Sequence, residues 1–71
     1  MMTKYAVVKL DRKSDKSKLL EVVESENLKE VRVMAVRKYT DIVLDSRNTA
    51  LWVGRLSSAN KFNLVNKQGE Y

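Results

Sequence analysis

The chain has 71 residues, 44% of them hydrophobic, which allows one small domain with one thin core and excludes a disordered tail. Cysteine and histidine are both absent, which excludes disulfide stapling, thiolate metal sites and the commonest general base. Lys and Arg number 14 against 9 Asp and Glu, and the net charge of +5 favours anionic partners such as nucleic acid, acidic protein surfaces or anionic membrane.

Proline is absent and glycine occurs twice, so linker-like and low-complexity readings fail. No stretch approaches the roughly 18 apolar residues of a membrane span. The segment Met1 to Leu10 is too short for a signal-peptide core and runs into Asp11-Arg12-Lys13. These features point to a soluble, cytoplasmic protein without a membrane partner.

In chain order, Lys4 to Leu10 is rich in β-branched and aromatic residues and predicts a strand. Leu19, Leu20, Val22 and Val23 then recur at helical spacing behind Ser14 and Asp15, a cap and a first-turn carboxylate. They predict a helix from about Asp15 to Glu26, with Asn27 as its left-handed end. Lys29 to Lys38 alternates, placing Val31, Val33 and Ala35 on one face and Arg32, Met34, Val36 and Lys38 on the other. Val33, Val36 and Arg37 also fit a helix, but the valine content favours a strand.

Tyr39 to Leu56 reads as a hairpin with a turn at Arg47-Asn48, since Asn tolerates positive φ. That register pairs Leu44 with Leu51, Val43 with Trp52 and Ile42 with Val53. Ile42, Leu44, Leu51 and Val53 form an apolar core face, and Trp52 centres the other. Leu56, Ala59, Phe62 and Val65 predict a modest helix from Ala59 to Asn66, and residues 67–71 a frayed tail. The expectation is a single α+β domain over residues 1–71, of two layers in β-α-β-β-β-α order. Its strands form an antiparallel meander with the helices packed on one face. From the first helix onward this order resembles, in topology alone, that of double-stranded-RNA-binding domains. The lysine-rich motif of that family is missing, since Ser58-Ala59-Asn60-Lys61 stands in its place.

Catalytic constellations mostly fail. Neither glycine stands in a phosphate-cradling loop. Asp41 and Asp45 on one strand face would lie roughly 13 Å apart, too far to share a proton or a metal. Lysines in the Ser14–Lys18 region are unburied and make poor bases. The chain is expected to be no enzyme and to need no cofactor or metal.

A binding surface is the alternative. The expected open face shows Arg32, Met34, Val36, Lys38, Val43 and Trp52, with Arg47 and Arg55 extending the positive charge. Trp, Met and Arg suit an interface centre. The same grouping suits a base stacked on Trp52 with Arg32, Lys38, Arg47 and Arg55 on phosphates. The leading expectation is a small basic regulatory protein, of inhibitor or adaptor type. It docks on a larger intracellular protein through Arg32, Met34, Lys38, Val43 and Trp52. The alternatives are a nucleic-acid-binding regulator, a homodimer seam on this face, and a Trp52 that is plain core.

Overall fold

The computed structural model describes residues 2–14 and 16–62. Its elements are β1 (Thr3–Asp11), β2 (Lys16–Ser25), α1 (Leu28–Lys38), α2 (Thr40–Leu44), β3 (Thr49–Arg55) and a closing 3-10 helix (Leu56–Lys61). The described residues form a small α+β domain with one antiparallel sheet of order β2-β1-β3.

The expected strand at Lys4 to Leu10 is β1, the central strand. Tyr5, Ala6, Val7 and Val8 are all buried because both sheet faces are covered here. Its side chains split into two core layers. Tyr5 and Val7 meet Val31 and Ala35 of α1, flanked by Leu51 and Val53. Ala6 and Val8 meet Leu19 of β2 and Ala59 of the 3-10 helix, flanked by Trp52 and Phe62.

The expected helix at Asp15 to Glu26 is instead β2, and its hydrophobic spacing has a mechanical cause. Val7 pairs with Glu21 but Val8 pairs with Leu19, so β2 holds an extra residue, Leu20. Such a bulge lets two neighbours, here Leu20 and Glu21, point the same way. Leu19 joins the 3-10 face while Leu20 and Val23 pack on the α1 face. The resulting Leu-Leu-x-Val-Val run imitates a helical stripe. Ser14 lies in the turn before β2, where the Asp11 carboxylate accepts from the N–H of Lys13 at 2.9 Å and of Ser14 at 3.3 Å. Asp15, expected in a first helical turn, lies outside the described residues.

The expected strand at Lys29 to Lys38 is α1. Asn27 starts this helix rather than ending an earlier one, since its Oδ1 accepts from the Lys29 N–H at 2.9 Å. Glu30 in the first turn and Arg37 and Lys38 in the last complement the helix dipole. Val31 and Ala35, one turn apart, are the buried pair against the sheet, while Val33 is 46% exposed. The Thr40 hydroxyl donates to the Val36 and Arg37 carbonyls at 3.1 and 2.8 Å, and the chain bends there into α2.

The expected hairpin is half right. Asp41 to Leu44 are helical, and β3 pairs with β1 instead. The pairs Leu44–Leu51, Val43–Trp52 and Ile42–Val53 therefore do not form, and Leu44 is 78% exposed rather than core. Asp41 and Asp45 sit one helical turn apart, the Asp45 N–H bonding the Asp41 carbonyl at 3.1 Å. The order is thus β-β-α-α-β, not the expected meander, and not the order of the RNA-binding domains. Cover lies on both sheet faces, α1 on one and the 3-10 helix on the other. The expected helix from Ala59 is instead the end of this 3-10 turn, which stops at Lys61 with Phe62 already extended; residues 63–66 of that expectation lie outside the described residues, as does the expected tail. No helix among the described residues is long and apolar enough to cross a membrane.

Candidate protein-docking groove

Arg32 and Val36 are four apart on α1 and so share one flank of that helix. That flank turns toward α2 and β3. With Ile42 and Val43 of α2, and Leu51 and Val53 of β3, they line an open groove of about 360 Å³. Val36 and Val43 are 48% and 39% exposed, so the trough keeps apolar surface in water. Arg12, from the β1–β2 turn, closes one end through its N–H bond to the Asn48 carbonyl at 2.8 Å. Among the described residues the charged side chains lining the groove are Arg12 and Arg32.

Local chemistry fixes this shape. The Thr49 hydroxyl donates to the Ile42 and Asp45 carbonyls, both at 3.0 Å, tying the end of α2 to the start of β3. The Asn48 amide donates to the Asp45 carboxylate at 3.0 Å, holding the turn between them. Ile42 and Val43 are thereby fixed beside β3.

The structure brings together only part of the expected patch. Arg32 and Val43 share the groove. Met34 points to the other flank of α1, half-buried against the core layer of Tyr5 and Val7. Lys38 bonds the Glu21 carboxylate at 3.1 Å, and the Tyr39 hydroxyl donates to its other oxygen at 3.1 Å. The hydrogen bond to Glu21 raises the Lys38 pKa above its ordinary value. Burial, then the Glu21 bond, raises that of Tyr39.

Trp52 lies on the opposite sheet face, half-buried, with Phe62 edge-on at 5.0 Å between ring centroids. Arg47 is exposed in the turn before β3. Arg55 is exposed at the end of β3, in a shallow depression shared with Lys4 and Asn60. The expected grouping of Trp52 with Arg32, Lys38, Arg47 and Arg55 on one face does not form.

Sequence reasoning missed Arg12, which reaches the groove only because β1 and β3 are neighbours. It also placed Ile42 in the core, since a five-residue helix is too short to show a period. Among the described residues no group of three acidic side chains gathers to hold a metal. No protein-family model matches this chain, and neither a curated protein nor a solved structure matches it.

Proposed function

We propose that this chain is a small basic regulatory binding protein, non-enzymatic and of inhibitor or adaptor type, that docks on a larger protein through the groove between α1, α2 and β3. One observation carries the reading. Val36 and Val43 stay in water on fixed elements, above the half-buried Leu51 and Val53, with arginines as the only lining charges among the described residues. An apolar centre with a cationic rim is the composition of a protein interface. Contact with RNA or DNA phosphates, the alternative suggested by the charge of +5, is separated by the same experiment.

The test places a photo-crosslinking residue at Val43 or, as control, at Val22, which is 40% exposed on the other sheet face. Cells of the native host are irradiated and the products treated with nuclease. A nuclease-resistant protein adduct from Val43 and not from Val22, lost in an Arg32→Glu background, is the expected result. Adducts that nuclease removes, or equal adducts from both positions, overturn the docking role.

A further inference from the structure

The sheet has two outer edges, and they are built differently. β2 carries Lys16, Lys18, Glu21 and Glu24 and the bulge at Leu20. Charges and bulges are the usual devices that keep an edge strand from pairing with another chain. β3 lacks both. No residue from Thr49 to Gly54 is charged, and its ladder to β1 is continuous.

One hydrogen bond fixes which backbone groups this edge offers. The Arg12 N–H donates to the Asn48 carbonyl, so Arg12 and Asn48 are a hydrogen-bonded pair. Bonded and non-bonded pairs alternate along an antiparallel ladder. In the observed register Leu10–Ala50, Val8–Trp52 and Ala6–Gly54 are then the bonded pairs. The N–H and C=O of Leu51 and Val53 therefore point away from β1, to the outer edge, where no strand pairs with β3 among the described residues.

The same two residues set their side chains in the groove. At the Thr49 end the edge is occupied, since the Thr49 N–H bonds the Asp45 carbonyl at 3.0 Å. Beyond it, outward backbone groups and an apolar trough run side by side. That is the arrangement by which an extended peptide adds to a sheet, its backbone giving affinity and alternate side chains giving specificity.

Charge selects the occupant. Arg12 and Arg32 line the trough without a carboxylate among the described lining residues. A second copy of β3 would bring no acidic residue to meet them and would add a further arginine, Arg55. We propose that the groove takes an extended acidic segment of a partner protein, which adds along Leu51–Val53 as a further strand. Alternate aliphatic side chains of that segment rest on Val36 and Val43, and its carboxylates meet Arg12 and Arg32. This inference rests on the docking role proposed above and specifies its chemistry.

The test is an NMR titration of the isotope-labelled chain with two synthetic peptides, one alternating Glu with Val and one with Lys in place of each Glu. The Glu peptide shifts the Leu51 and Val53 amides and slows their exchange, and the Lys peptide does not. A chain made by chemical synthesis with a backbone N-methyl group on Val53 binds the Glu peptide about tenfold or more weakly, a loss of at least about 1.4 kcal/mol. Arg12→Glu with Arg32→Glu reverses the preference between the peptides, which tests the charge without touching the backbone. If the N-methyl chain binds undiminished while Val36→Asp abolishes binding, strand addition is wrong and docking in the groove survives. If neither peptide binds and the chain instead self-associates until Val53 is N-methylated, the occupant is a second copy and the proposal falls. Failure of the docking role itself shows separately, as equal crosslinking from Val43 and Val22.

Discussion

The Trp52 indole lies directly over Gly54. A methyl group on the Gly54 α-carbon would stand 2.6 Å from Trp52 Cζ2 and 2.7 Å from Cη2. The two residues share a sheet face, two apart on β3, and the long ring leans along the strand onto the space glycine leaves. Gly54 is thus required by a neighbour's size.

Gly54→Ala gains about 0.5–1 kcal/mol by restricting the unfolded chain but loses about 1–3 kcal/mol by overpacking against the ring. Overpacking wins, because moving the indole also breaks its edge contact with Phe62. Urea unfolding is expected to show a net loss near 1 kcal/mol, with a red-shifted tryptophan emission. A stabilised Gly54→Ala protein with unshifted emission would show that the indole yields freely.

Trp52→Ala separates stability from binding. Truncating a fully buried Trp typically costs about 3–5 kcal/mol, and half-burial reduces this to roughly 2–3 kcal/mol. The groove lies across the sheet, so peptide affinity should survive wherever the variant remains folded. Calorimetry at low temperature reads both, and a folded Trp52→Ala chain that no longer binds would place the interface on the wrong face.

Val31→Ala and Val33→Ala distinguish a helix from a strand at α1. On a strand these residues share a face and respond alike. On α1, Val31 is buried and Val33 is not. Val31→Ala is expected to cost about 2 kcal/mol and Val33→Ala nothing measurable beyond about 0.5 kcal/mol. Equal losses in chemical denaturation would contradict the helical register.

The Glu21, Lys38 and Tyr39 cluster gives a pH dependence. Tyr39 ionises above the ordinary tyrosine value of 10.0, first because burial disfavours the phenolate and then because of Glu21. A raised folded-state pKa means stability that is complete below the unfolded value and lost as pH rises through the folded one. Lys38, also raised, acts in the same direction. Spectrophotometric titration should find the Tyr39 phenol ionising late, and thermal stability should fall across that alkaline range. Glu21→Gln should move the late titration down without restoring the ordinary value, since burial remains. An unchanged late titration in Glu21→Gln would detach Glu21 from it.

The sequence signals for β1 and β3 were legible because both strands alternate or run apolar between polar turns. Leu51 and Val53 facing the helix layer, with Trp52 on the other face, follows from strand alternation alone. Between them the assignments were exchanged. The bulge at Leu20 made β2 look helical, and β2 took the cap residue of α1 as its own stop signal. Conversely, α1 contains Val31, Val33 and Val36, and tertiary burial of Val31 and Ala35 overrode their weak helix propensity. The groove was harder to see. Arg12 lines the same groove as Thr49 and Leu51 only through the pairing of β1 with β3, a long-range fact that no local pattern carries. The turn at Arg47-Asn48 exists, but it joins a helix to a strand.

The central place of β1 has a consequence for the order of folding. Its pairing with β2 closes a short local loop, whereas its pairing with β3 must wait for both helices and the turn after them. Chain-closure entropy makes that second pairing the slower one. β3 is therefore the strand expected to detach first in partial opening, with native-state hydrogen exchange at Trp52 and Gly54, bonded to β1 from one side, faster than at Val23 and Ser25, bonded to it from the other. A segment held along Leu51 and Val53 would then act on the least secure strand of the sheet, and its binding would be felt as slower unfolding of the whole molecule.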